Sequence, residues 1–424
     1  MRYFFLLSCL IFSGTQAQNL NDCRQRFTTY LNFHNSLSSR VVFTDQAIVL
    51  YNGAGKPEFK VYENEIPLLA YALLTANLDR QIQLVNAKGV EPFSKKVRDS
   101  LTQLLSASKK EALASDARLY GLKIAIDPGH FGTSLKEAKA EQKYLYFPNT
   151  QTSESGDSIK LFESRLTFQT ASVLKAMLSE NGAEVMLTRN ESNSTSFNCT
   201  YAQWIKTRKK KVLDSLFVLG ELSPAKHKAL LKANEQTFFW DFFRDYELAN
   251  RARKINAFQP VITVIIHYNV DEKNAPWKKA SDKNFTMAFI GGGFTASDLN
   301  GQENKMHFLR LLLSDQLNRS EQLAGHTVNR FTNYLGIPPA KASDATYLAD
   351  KCVSTPSKGV YCRNLALCRK VNSTLVYGES LYQDHRNECV ELMKEDKLLY
   401  GIQTSARVEL VAKSYFEAIM DFLK

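Results

Sequence analysis

The sequence predicts an α/β fold, a mostly parallel twisted sheet with helices on both faces, plus a small N-terminal α+β domain. Two observations carry that expectation. From Leu122 onward, continuous apolar runs such as LKIAID (122–127) and VITVIIH (261–267) alternate with stretches of helical spacing. Strands buried on both faces lose the in–out alternation and read as unbroken apolar runs. In addition, long polar segments follow the strand ends, where an open α/β sheet carries its binding loops.

The elements follow in order. Residues 1–17 (MRYFFLLSCLIFSGTQA) place one Arg before an apolar stretch and small residues before Ala17. That is the layout of a secretory signal peptide, too short for a permanent membrane span. Residues 18–118 form the N-terminal domain. Within it, 46–51 and 59–63 flank the turn-forming Asn52-Gly53-Ala54-Gly55-Lys56-Pro57 and predict a hairpin. Residues 66–78 and 95–114 have amphipathic helical spacing, and no residue cluster suited to chemistry is found there.

Residues 119–424 form the second domain. Strand 122–127 ends in Pro128-Gly129-His130, and the helix over 162–181 stops at Asn181-Gly182. Strands are expected at 184–188, 261–267, 285–291 and 374–377, and helices at 246–258, 305–335 and 406–423. Two insertions interrupt this rhythm. Residues 131–160 are polar, and 190–245 begin polar and continue as helical, basic and aromatic sequence. Both are candidates for substrate grip or a lid.

Composition narrows the classes. The chain has 424 residues, 44% hydrophobic and 23% charged, which excludes disordered and collagen-like chains. Only the extreme N-terminus is apolar enough to enter a bilayer, which excludes a polytopic membrane protein. The net charge of +11 favours anionic partners such as cell-wall polymer, lipid headgroups or nucleic acid, but no nucleic-acid motif accompanies it. The basic run 206–211 reads as a solvated helix face. Of seven cysteines, Cys9 falls in the leader; Cys23, Cys199, Cys352, Cys362, Cys368 and Cys389 remain. An even number in an exported chain predicts disulfides, with local staples plausible among the last four and the pairing left open.

Three polar side chains stand at element ends. His130 follows an apolar strand, Glu163 opens a helix, and His267 ends the most apolar strand. Two His and one carboxylate, with a position left open, suit a catalytic zinc ion. Each residue also has a plainer reading: a turn histidine bonding backbone, a first-turn carboxylate at a helix dipole, and a satisfied strand-end histidine.

The local sequences add to this. LKIAIDPGH (122–130), the helix and strand of 162–189, LANRARKINAF (248–258), VITVIIHYN (261–269), the segment 357–392 and the closing helix 401–423 resemble the zinc-dependent N-acetylmuramoyl-L-alanine amidases, the family-3 bacterial cell-wall amidases. The resemblance covers roughly 121–424, in order, with insertions. It implies one catalytic Zn2+ on His130, Glu163 and His267, and a catalytic Glu379 after the short apolar strand 375–377. It implies hydrolysis of the amide between N-acetylmuramic acid and the L-alanine of the stem peptide, with peptidoglycan as substrate. Arg251 and Asn256 match an Arg and an Asn on the helix before the His267 strand, in structural or substrate-binding roles; Asn269 is expected to shape the loop after His267. In some relatives an inserted helix covers the metal until a protein activator displaces it. Residues 225–245 could play that part, although a decorative subdomain is the plainer reading. With the leader, the resemblance implies export, to a Gram-negative periplasm or outright secretion. The alternatives are a non-catalytic or partner-activated wall-binding protein on the same fold, or another zinc amide hydrolase or peptidase.

Overall fold

The computed structural model describes residues 19–108, 119–147, 158–274 and 279–424. The expected leader, the helix expected over 95–114 beyond Ser108, and the middle of the first insertion lie outside the described residues.

The N-terminal domain opens with helix α1 (Leu20–Arg26), followed by the antiparallel strands β1 (Val41–Phe43), β2 (Ala47–Tyr51) and β3 (Pro57–Tyr62). The expected hairpin joins β2 to β3. Its turn forms because the Asn52 side-chain oxygen accepts the amides of Ala54 (2.9 Å) and Lys56 (3.0 Å), a local bond that substitutes for ladder pairing. Helices α2 (Ile66–Thr75), α3 (Leu78–Lys88) and α4 (Lys95–Ser108) follow. The single helix expected over 66–78 therefore ends early. Asn77 caps a new helix by accepting the Arg80 amide at 2.9 Å.

In the second domain, β4 (Lys123–Pro128) leads to α5 (Leu135–Glu141), the hairpin β5 (Tyr144–Phe147) and β6 (Ile159–Phe162), then α6 (Glu163–Glu180) and β7 (Glu184–Leu187). Next come α7 (Tyr201–Val218), α8 (Pro224–Lys232), α9 (Glu235–Phe238), α10 (Arg244–Phe258), β8 (Ile262–Asn269) and β9 (Met287–Ile290). Helices α11 (Gln302–Leu313) and α12 (Gln316–Leu335), strands β10 (Val353–Ser354), β11 (Val360–Cys362) and β12 (Thr374–Tyr382), and a last helix, Ala406–Phe422, follow, with short helices and a small hairpin between them.

The seven-stranded sheet has the order β10-β11-β9-β12-β8-β4-β7. Strands β7, β4, β8 and β12 run parallel, as do β9 and β11, while β12–β9 and β10–β11 are antiparallel. Strand β8 lies between β12 and β4 in the sheet interior and is buried along nearly its whole length, as its unbroken apolar sequence requires. Its alternate residues face opposite layers. Val264 and Ile266 enter one core with α6, α12 and the last helix; Ile265 enters another with Ala252 and Ile255 of α10.

Strand β12 runs past the expected end at Tyr377. Tyr415 of the last helix presses against Gly378, where a Cβ would lie 2.1 Å from its hydroxyl, and the chain continues extended through the buried Ser380, Leu381 and Tyr382. Glu379 thus stands within the strand. The described parts of the two insertions are folded. Phe131 and Ala140 of the first join Tyr201, Trp204, Phe238, Phe239 and Phe243 of the second in one aromatic cluster. The helical character expected of 225–245 is present.

The expected disulfides are not formed: Cys23, Cys199, Cys352, Cys362, Cys368 and Cys389 are all free thiols. All but Cys199 are buried. Cys23, Cys362 and Cys389 lie in the first core, Cys352 and Cys368 in the second, and Cys199 against the aromatic cluster. Buried cysteine packs there as a small apolar side chain.

The N-terminal domain shares the first core. Leu20, Phe27, Leu69 and Leu73 join the same cluster as Phe308, Leu309 and Leu312 of α11. Arg26 donates to the Leu312 carbonyl (2.9 Å), and the amides of Gly293 and Phe294 donate to the carbonyls of Tyr30 and Leu31 (2.8 Å each). Removing residues 19–118 would expose that face of α11 to water. A chain beginning at residue 119 should aggregate or melt well below the intact protein in thermal denaturation followed by circular dichroism; an unchanged thermal midpoint would contradict this packing account.

Candidate metal centre

The site forms where β4, β8, β12 and α6 meet. Strands β4 and β8 pair in parallel register, Pro128 opposite Ile266, so their ends reach the same sheet edge. The chain then turns through Gly129 to His130, which takes a left-handed φ of 59°. Only glycine fits the first of these positions: a Cβ on Gly129 would lie 2.3 Å from the His267 ring. The two imidazoles meet edge to face with centroids 4.8 Å apart. His267 also stacks on Tyr377, rings 4.4 Å apart and 4° from parallel.

Glu163 is the first residue of α6 and completes the group. Its Oε1 lies 3.3 Å from His130 Nε2 and 3.0 Å from His267 Nδ1, and accepts the Tyr268 amide at 3.2 Å. Its Oε2 accepts from Gln383 Nε2 (3.2 Å), with Lys143 Nζ at 3.9 Å. One donor atom from each of His130, Glu163 and His267 falls within 4.8 Å of the others. Two imidazoles and a carboxylate are the donor set of a His2Glu zinc site.

The turn that holds His130 is clamped by two buried arginines. Arg251 of α10 donates to the carbonyls of Pro128 (2.7 Å) and His130 (3.2 Å), and pairs with Asp127 (3.2 Å) and Glu247 (2.8 Å). Arg189, just after β7, donates to the carbonyls of Pro128 (3.1 Å), Gly129 (3.3 Å) and Ser164 (2.7 Å), which ties the turn to the start of α6. The other imidazole nitrogen of His130, Nδ1, lies 3.3 Å from Glu141 Oε1. Glu141 ends α5 in the first insertion, and its Oε2 accepts the amides of Phe131 (3.1 Å) and Gly132 (2.7 Å).

Glu379 sits opposite His267 in the β8–β12 register. Its Oε2 is buried and has no hydrogen-bond partner among the described residues.

A family profile described as N-acetylmuramoyl-L-alanine amidase matches residues 124–403, which contain all four of these residues. The chain belongs to this amidase family. Among solved structures, it is similar to Cwp6 from Clostridium difficile (14% identity, 72% of this chain and 30% of that one, TM-score 0.34). It is also similar to the CwlD amidase from Clostridioides difficile in complex with the GerS lipoprotein (15%, 72% and 98%, TM-score 0.36) and to the amidase Ami1 from Mycobacterium smegmatis (15%, 72% and 98%, TM-score 0.36). The chain thus spans about a third of Cwp6. No curated protein matches.

The remaining residues singled out by the amidase resemblance have defined contacts. Arg251 serves the turn as described. Asn256 lies away from the cluster: it donates to the Lys370 carbonyl (2.9 Å) and accepts the Asn372 amide (2.9 Å). Asn269 donates to the Tyr347 hydroxyl (2.8 Å) and accepts the Val270 amide (2.9 Å), which shapes the loop after His267. Sequence reasoning missed Glu141, Lys143 and Gln383. The only signal for Glu141 was an acidic residue at the end of a short helical stretch after His130. Among the described residues, no helix is long and apolar enough to cross a membrane.

Burial and charge set the protonation of the group. Burial opposes charge on Glu163, but His130 and Lys143 hold it well below the usual carboxylate range. Burial also opposes charge on His130, yet Glu163 and Glu141 push it up to about 9. Burial, aided by the neighbouring His130, pushes His267 down to about 4. Burial and the charge of Glu163 push Glu379 up to about 8.

His130 and Glu379 therefore bind a proton more tightly folded than unfolded. The stability from His130 is present below pH 6.5 and lost through about 9; that from Glu379 is present below 4.5 and lost through about 8. Both losses have the same sign. The thermal midpoint of chelator-treated protein should fall between pH 6.5 and 9, and Glu379→Gln should raise it at pH 8 relative to wild type. A midpoint that is flat or rising over that interval would contradict the assigned environments.

Proposed function

We propose that this family member is a zinc-dependent N-acetylmuramoyl-L-alanine amidase, which hydrolyses the amide joining N-acetylmuramic acid to the L-alanine of peptidoglycan stem peptides. The observation that carries the reading is the convergence of His130 Nε2, His267 Nδ1 and a Glu163 oxygen beside Glu379, whose buried Oε2 lacks a partner among the described residues. An orphaned carboxyl oxygen in such a place is the expected state of a group whose partner is substrate or attacking water.

His130, Glu163 and His267 would hold the metal. When bound, zinc would polarise the scissile carbonyl and bring the pKa of a bound water to about 7. Glu379 acts as general base and then general acid. It accepts the proton of the attacking water as the C–O bond forms, and delivers it to the L-alanine nitrogen as the C–N bond breaks. Burial and the neighbouring Glu163 raise the proton affinity of Glu379, which favours its taking up the water proton. Glu141 holds the outer nitrogen of His130, which fixes the ring with Nε2 toward Glu163, where it would be free to bind the metal. Export by the leader 1–17, into a periplasm or the medium, would bring the enzyme to its polymer, and the net charge of +11 suits an anionic one.

The test is mass spectrometry of purified peptidoglycan incubated with residues 18–424, with and without a chelator. Free peptides beginning at L-alanine, formed only with zinc, are expected. Shortened peptides still attached to muramic acid would instead indicate a peptidase. Glu379→Gln should lower turnover by about 10²–10⁴-fold while zinc binding persists; activity near wild type would remove Glu379 from the chemistry. Glu141→Gln should weaken zinc affinity by about 10–100-fold in a competition titration, and unchanged affinity would assign Glu141 to the turn alone.

A further inference from the structure

The second insertion ends in a feature that the amidase reading does not use. Helices α7 and α8 form a hairpin whose tip presents Phe217, Val218 and Leu219 to solvent, at 40%, 83% and 70% exposure. Among the described residues, no other run of three large apolar side chains is exposed. Phe217 stacks on His227 (centroids 4.8 Å, 21°), which holds it at the tip. The shafts behind are basic: Lys206, Arg208, Lys210 and Lys211 on α7 and Lys226 and Lys228 on α8 are all exposed. The acidic groups here are Glu221 at the tip and Asp214, which is already engaged by Lys210 (2.6 Å) and His227 (2.8 Å).

We propose that this hairpin tip docks on an anionic lipid bilayer. Along α7, Lys211 and Lys210 stand about 10 and about 12 Å behind Val218, at 1.5 Å per residue. Interfacial elements bury their apolar face about 5–10 Å deep, so side chains at that distance meet the headgroup layer. The tip supplies the apolar wedge and the shafts supply cations where lipid phosphates lie. Three adjacent aliphatic and aromatic side chains at the point of a protrusion suit insertion into acyl chains better than contact with a hydrated glycan. The aromatic cluster of Trp204, Phe238 and Phe243 at the base anchors the hairpin beside Phe131, the residue after His130. Docking there would hold the catalytic face close to a membrane surface.

The experiment is cosedimentation of the leader-free protein with phosphatidylglycerol-containing vesicles and with pure phosphatidylcholine vesicles. Binding to the anionic vesicles that weakens with added salt is expected. The double substitution Val218→Asp/Leu219→Asp should lower the partition coefficient at least about tenfold, and Lys211→Glu/Lys228→Glu should do the same, with circular dichroism and peptidoglycan hydrolysis unchanged. No binding by wild type, or equal binding by the variants, overturns the proposal. Loss of retention on purified sacculi, or of a dimer, in the variants without any vesicle binding would also overturn it and assign the tip to wall polymer or to a second copy.

Discussion

The carbonyl groups of one turn constrain the rest of the site. Where β4 stops, the oxygens of Pro128, Gly129 and His130 leave the sheet ladder in a buried place without strand partners. Arg251 and Arg189 satisfy them, and Thr167 adds a bond to the Gly129 carbonyl at 2.6 Å. Arg251 is itself neutralised by Asp127 and Glu247. Removing one partner of such a buried network costs about 3–5 kcal/mol, because an uncompensated charge remains inside. The network therefore fixes the turn, and the turn fixes His130 against His267 at a separation only glycine at 129 permits.

The sheet supplies the second half of the geometry. Parallel pairing of β4, β8 and β12 brings residues distant in sequence to one edge at one level, and α6 begins at that level with Glu163 as its first residue. A carboxylate at a helix N-terminus is favoured by the helix dipole, here reinforced by the Tyr268 amide. The same pairing sets Glu379 opposite His267, so that two carboxyls share a buried space. They cannot both be charged cheaply there. Glu163 keeps its charge beside the imidazoles and Lys143, and Glu379 is driven toward the protonated form.

Much of this was legible in the sequence, for physical reasons. Strands buried on both faces must be continuously apolar, so the polar residue that ends each one stands out. His130 and His267 were found that way, and Glu163 by its place at the head of a strongly periodic helix. The rest depended on tertiary partners. Glu141 returns to His130 because Phe131 and Ala140 pack into the aromatic cluster of the second insertion, which no local pattern announces. The extension of β12 through Glu379 depends on Tyr415 packing on Gly378. The cysteines suggested disulfides by number and compartment, yet five of the six described are buried and packed as apolar side chains. Asn77 ends the stretch expected as one helix and starts a second through a single capping bond.

The central claim is that His130, Glu163 and His267 share one zinc ion. The most direct measurement is anomalous diffraction at the zinc edge from crystals grown with zinc. The account predicts a single strong peak per chain, about 2.0–2.2 Å from His130 Nε2, His267 Nδ1 and a Glu163 oxygen, lost in His267→Ala. A peak elsewhere, or none at this cluster in a zinc-saturated crystal, would contradict it.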